Sequence, residues 1–268
     1  MPAAGGEPKQ LTWYPSNGPL PDRWGFDHLV YGWAPDGKSV LFRSGREFWG
    51  SGANARLYTV SVDGGLPTAL PMPVSGAGDI APDGRIAYSP LFRDFRTWKR
   101  YQGGWAQDLY IFFSETGETQ RVTEHERTDR DPMWVGENIY FASDRSGTLN
   151  LYRFEPGSKR TRQVTKFDDW DVRWPSSDGK NAIVFERNGE LHVLEAKSAN
   201  ARKLTIRVPG DGLNARPKRI SAARNVEDSE LSPDGKRALV VARGDIFIHQ
   251  KDCHGGLRFA VCHHPKAG

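Results

Sequence analysis

One supersecondary unit recurs along this chain, and its period leaves few folds open. A short turn appears at Ala34-Pro35-Asp36-Gly37, Ala81-Pro82-Asp83-Gly84, Ser176-Ser177-Asp178-Gly179 and Ser232-Pro233-Asp234-Gly235. Proline presets the backbone angle of the first corner, aspartate accepts a local backbone hydrogen bond, and glycine relieves strain at the exit. Each turn is followed by two strand-forming runs. They are residues 39–43 and 56–62, 85–89 and 108–113, 181–186 and 190–194, and 237–242 and 245–249. A further unit lies in the middle, with strands expected over residues 138–143 (NIYFAS), 149–154 (LNLYRF) and 161–165 (TRQVT). One such turn is a weak signal, but four near-copies, each leading two strands, are a strong one. Counted by the glycine of the turn, five units follow one another at about 43–56 residues. A strand-rich unit of that length predicts an all-β β-propeller with four-stranded antiparallel blades set radially around an axis.

Two echoes refine the unit. Asp129-Arg130-Asp131-Pro132-Met133-Trp134 returns about forty residues later as Asp169-Trp170-Asp171-Val172-Arg173-Trp174. A Leu-Thr or Val-Thr pair closes successive units at residues 122–123, 164–165 and 204–205, and the same ending stands at residues 11–12. The propeller is therefore expected over residues 1–250, its first blade represented only by a last strand within 1–12. An atypical tail, frame-shifted or disordered, is expected over 251–268.

The 268 residues suffice for one large β domain with a real core. With 37% hydrophobic and 11% aromatic residues, the chain is too rich in core formers for a disordered one. No apolar run approaches a membrane span, and residues 1–12 carry no signal-peptide core. The expectation is a soluble chain, cytoplasmic as written, with no membrane partner. A net charge of +4 raises affinity for anions only slightly and does not indicate nucleic acid.

The turn–strand–Leu-Tyr strand–Gly-Gly–Leu-Thr grammar resembles the propeller repeats of the Tol translocation protein and its relatives. Residues 91–108 (LFRDFRTWKRYQGGWAQD), 128–134 and 167–180 resemble more narrowly the amino-terminal six-bladed propeller of tricorn-type serine proteases. The resemblance covers about residues 3 to 247. It implies a six-bladed origin with about five units present, and a non-catalytic propeller that gates or docks peptide substrates. The implied partners are a peptide or protein substrate and the rest of a multidomain peptidase. The alternative is a free-standing Tol-type propeller that binds protein partners. An open ring would also expose unpaired strand edges, so marginal stability, aggregation or homo-oligomers through those edges are expected.

Two stretches are candidates for chemistry. The insertion at residues 92–105 interleaves Arg93, Arg96, Lys99 and Arg100 with Phe92, Phe95, Trp98, Tyr101 and Trp105. Such a loop is suited to holding a peptide carboxylate or to stacking bases. The bland alternative is that its aromatics wedge between blades while basic stems cover them. Basic propeller residues help anchor substrate in tricorn-type proteases, so the resemblance implies Arg96, Lys99 and Arg100, with Trp98 and Tyr101, as substrate-binding. The second stretch is the tail, where Cys253, His254, Cys262 and His263 are soft-metal donors whose spacing fits no standard zinc motif. No metal or other cofactor is expected.

Asp131 with Trp134 and Asp171 with Trp174 are expected on innermost strands, lining the channel. Paired carboxylates there would suit a propeller glycosidase, but a residue repeated once per blade reads better as packing and turn bonding. Residues 143–148 (SDRSGT) resemble a sialidase Asp-box with its aspartate one position early and read as a hairpin turn. No G-x-S-x-G elbow, HExxH or Walker loop occurs, so no catalytic residue is assigned and this chain alone is expected to be inactive.

Overall fold

The structure is a computed structural model and describes residues 6–13, 28–47, 55–91, 99–207, 223–250 and 259–261. Twenty strands among them form five four-stranded sheets in which every neighbouring pair is antiparallel. The first sheet holds β1 (His28–Trp33), β2 (Ser39–Ser44), β3 (Arg56–Ser61) and β4 (Thr68–Ala69). The second holds β5 (Ala77–Ile80), β6 (Ile86–Ser89), β7 (Tyr110–Phe112) and β8 (Thr119–Arg121). The third holds β9 (Asp129–Val135), β10 (Asn138–Ser143), β11 (Asn150–Glu155) and β12 (Arg160–Gln163). The fourth holds β13 (Arg173–Ser177), β14 (Ala182–Arg187), β15 (Glu190–Glu195) and β16 (Asn200–Lys203). The fifth holds β17 (Val226–Leu231), β18 (Arg237–Ala242), β19 (Asp245–Gln250) and β20 (Phe259–Val261). In each, the strands lie side by side in chain order. These are propeller blades, and the chain divides into two compact units, Met1–Ile206 with four of them and Arg207–Gly268 with the fifth.

The recurring turns form as their sequence dictates. The Asp36 carboxylate accepts the Lys38 and Ser39 N–H groups at 2.8 and 2.9 Å, and Gly37 takes the left-handed φ of 64° that closes the turn. Asp178 accepts three N–H groups, from Lys180, Asn181 and Ala182, at 2.8–2.9 Å. Donation from Lys38 N–H and the Ser39 hydroxyl holds Asp36 below the usual carboxylate range.

Alternation within each strand supplies both faces of a blade. In β10, Ile139 and Phe141 are buried with Leu109, Ile111 and Trp134 in the core shared with the second blade. Tyr140 is buried with Val172, Ile183 and Phe185 in the core shared with the fourth. A near-continuous apolar run such as residues 138–143 is what a strand buried on both faces needs. Each of these side chains contributes about 1.5–3 kcal/mol by leaving water. The first and second blades meet through Leu41, Leu57, Met72 and Ile86. They approach so closely that a Cβ on Gly78 would lie 2.7 Å from Leu57 Cδ1.

Two expectations meet a different arrangement. Residues 6–13, where the last strand of a first blade is expected, run without strand pairing. Leu11 packs there against the cluster of Phe42, Tyr58 and Val60. In the expected tail, Phe259–Val261 pairs with β19 and supplies the fourth strand of the fifth blade. Backbone pairing needs only an extended segment within reach, so a Leu-Thr ending is not required.

Candidate functional site

A four-stranded meander places its connections alternately at two ends. The turns between first and second strands lie at one end. Connections between second and third strands, and from one blade to the next, lie at the other. The insertion joins β6 to β7 and therefore belongs to the second end.

The described part of the insertion is bonded across to neighbouring blades. Lys99 Nζ lies 2.7 Å from the buried Asp171 Oδ2, just before β13. The Leu149 N–H donates to Asp171 Oδ1 at 3.1 Å. Burial works against ionisation of Asp171, yet the Lys99 ammonium and the Leu149 N–H hold its carboxyl below the usual range. Arg100 Nε–H donates to the Gly147 carbonyl in the β10–β11 turn, and Arg127 donates to the Arg100 carbonyl at 2.7 Å. Arg100 adopts a left-handed φ of 54°. Tyr101 is half-buried, with its hydroxyl 2.7 Å from where a Cβ on Gly103 would stand. Of the residues expected to bind substrate, Lys99 and Arg100 are thus engaged in cross-blade bonds, and Tyr101 follows them half-buried. Arg96 and Trp98 lie outside the described residues, as do Cys253, His254, Cys262 and His263. Among the described residues, no group of three or more His, Cys, Asp or Glu side chains is placed to hold a metal ion.

The opposite end carries a cavity of about 490 Å³ that is lined from β1, β5, β9 and β13. Each of these is the first strand of its sheet and pairs on one side only, so the four innermost strands converge there. Trp33, Asp79, Asp131, Trp174 and Lys180 are among the lining residues. Pro35, Pro82, Pro132 and Pro175 lie along it as well and stiffen the surface, since proline fixes its own backbone angle.

The repeated Asp–Trp positions turn out to be inequivalent. Trp134 is 1% exposed in an interblade core, beneath the Arg85 guanidinium at 4.7 Å from its ring. Trp33 and Trp174 are 61% and 57% exposed and line the cavity. The innermost strands carry register shifts at residues 30–32, at Arg173/Ser176 in β13, and in β9 opposite Tyr140/Ala142. Within the latter two bulges, Asp131 and Trp174 are held at φ 53° and 49°. Aspartate tolerates the left-handed region, whereas for a bulky residue it is strained by roughly 1–3 kcal/mol. Arg130 Nε lies 2.6 Å from Asp131 Oδ2 and neutralises it.

Asp79 links two blades. It accepts the Trp134 N–H from β9 at 2.7 Å and its neighbour Ile80 N–H at 2.9 Å. Burial pushes its carboxyl up to about 6 in spite of those two donors. Sequence reasoning missed this residue because Asp79 sits outside both the Asp–Trp echo and the turn motif. The nearest signal was its place three residues ahead of Pro82.

Among the described residues, no helix is long and apolar enough to cross a membrane. TolB from Acinetobacter baumannii shares the fold, with a TM-score of 0.51 and 16% identity over 88% of this chain and 54% of that one. Tricorn protease homolog 1 of Streptomyces coelicolor is 31% identical over 254 residues, 91% of this chain and 22% of that protein. The tricorn protease homolog of Saccharolobus solfataricus is 30% identical over 192 residues, 71% of this chain and 18% of that protein. The chain spans about a fifth of the length of these curated relatives. Residues 1–202 match the family described as the tricorn protease N-terminal beta propeller domain, and this chain belongs to that family.

Proposed function

We propose that this chain is a non-catalytic propeller that docks or gates peptide substrates for a tricorn-like serine peptidase, with hydrolysis performed by a catalytic domain outside it. The observation that carries the reading is the family match over residues 1–202. The cavity between the innermost strands supports it, being within the size range of ligand pockets. In this reading the remainder of the peptidase is a partner, the cytoplasm is the compartment, and exposed blade edges allow self-association.

The insertion takes part through Arg96, Lys99, Arg100, Trp98 and Tyr101 as substrate anchors. A peptide carboxylate arriving at Lys99 competes there with Asp171, 2.7 Å away. Lys99 therefore acts as an anchor that exchanges an internal carboxylate for an external one.

The test is calorimetric titration of the full chain with a library of unstructured peptides, alongside a peptidase assay on the same preparation. Saturable binding with no hydrolysis is expected. Hydrolysis by the purified chain would overturn the non-catalytic assignment, and absence of binding across the library would overturn docking.

A further inference from the structure

The cavity between β1, β5, β9 and β13 combines exposed indole surface with carboxylates. Trp33 and Trp174 are both more than half exposed, while the aromatic side chains of the interblade cores are buried. Trp174 keeps this place at the cost of a left-handed backbone, imposed by the irregularity in β13 between Arg173 and Ser176. Strain of that kind persists where the surrounding structure fixes it, and it gathers at ligand clamps.

The charges around the indoles have one predominant sign. Among the described residues, Asp79, Asp131 and Asp178 line the cavity, and Lys180 is the one base that does. Arg130 offsets Asp131. Backbone N–H groups engage Asp178 and Asp79 without cancelling their charge. An indole face attracts a cation through its ring quadrupole, more strongly where water is partly excluded, and nearby carboxylates add to that field.

We propose that this cavity binds a cationic group carried by a peptide, either an Arg or Lys side chain or a free amino terminus, with Trp33 and Trp174 as the residues that contact it. The inference rests on the peptide-docking reading and deepens it by naming the class of ligand. It also separates two roles by position, with cations bound at the turn end of the blades and carboxylates met at the insertion end.

The test is a tryptophan-fluorescence titration of the full chain with four tryptophan-free octapeptides of one backbone. All four are amidated at the carboxyl end: one is acetylated with an internal Arg, one acetylated with an internal Glu, one has a free amino terminus and no charged side chain, and one is acetylated with no charged side chain. The Arg peptide, the free-amine peptide or both should bind about tenfold tighter than the acetylated uncharged one, and the Glu peptide weakest. Which of the first two binds tighter identifies the source of the cation. Trp33→Leu and Trp174→Leu should each weaken binding about fivefold or more at an unchanged thermal midpoint. Lys180→Glu changes only an exposed rim residue and should tighten the cationic peptides while leaving the neutral one unaffected. Binding of both the Arg and the free-amine peptides no tighter than that of the Glu peptide, or binding indifferent to both Trp substitutions and to Lys180→Glu, would overturn this inference and leave docking standing. If none of the four binds, the docking reading falls with it.

Discussion

Asp79 has an environment that its sequence context does not suggest. Its carboxyl titrates at about 6 against an ordinary value of 3.8, because burial outweighs the N–H groups of Trp134 and Ile80. Between about pH 4 and 6 the folded chain keeps a proton that the unfolded chain releases. The contribution of this group to stability is therefore greatest at the acid end of that window. It falls by on the order of 2–3 kcal/mol as pH rises through it. Asp79→Asn keeps a carbonyl acceptor for the blade-to-blade bond and removes the titration. The stability of the wild type minus that of the variant, from urea unfolding at several pH values, should fall between pH 4 and 6 and level off above 7. A difference that does not vary with pH would mean that the carboxyl titrates normally. None of this was legible in the sequence, since residues 76–80 (GAGDI) show no charge partner and the Trp134 donor stands 55 positions away.

At the scale of elements, the hairpin turn after β10 shows how a local motif becomes a tertiary one. Residues 143–148 form the expected turn, with Gly147 N–H donating to the Asp144 carbonyl at 2.9 Å. Arg145 then reaches back to both carboxyl oxygens of the fully buried Asp129, at 2.8 and 2.6 Å, and lies over the rings of Phe141 and Tyr152. Burial still pushes the Asp129 carboxyl upward against that partner. Arg145→Met leaves a buried carboxylate uncompensated and should cost about 3–5 kcal/mol in chemical denaturation. Adding Asp129→Asn should restore a large part of the loss. If the double variant is no better than the single one, the packing of Arg145 on the rings matters more than its charge. Arg46 over Phe42 and Tyr58, and Arg187 over Phe167, repeat the device in other blades. The turns themselves were readable from Asp and Gly, whereas the long reach of Arg145 was not.

Over the whole molecule, burial is uneven between the two units. The cores around Trp134, Phe141 and Phe185 lie within Met1–Ile206. In the fifth blade every residue of β17 is exposed, and in β18 Ala242 alone is buried. Local opening free energy follows the buried apolar contacts that must be broken. Amide hydrogen exchange should therefore be fastest, by orders of magnitude, in β17–β19 and slowest in β9–β11. Uniform protection across all five sheets would show that the fifth blade shares in the cooperative core.

The sequence by itself determined the blade: where its turns fall and which runs form strands. Those properties depend on neighbours a few residues apart, on the corner preferences of Pro, Asp and Gly and on alternation along a strand. Tertiary structure alone decided which repeated residues are equivalent. Trp33, Trp134 and Trp174 look alike in the repeat and all border the cavity, yet Trp134 is 1% exposed in an interblade core while the other two are more than half exposed. Tertiary structure likewise tied Lys99 to Asp171 and Asp79 to Trp134, because such pairs exist only once separate blades are packed side by side. A periodic sequence specifies the unit it repeats, and the exceptions that make a site arise where different units touch.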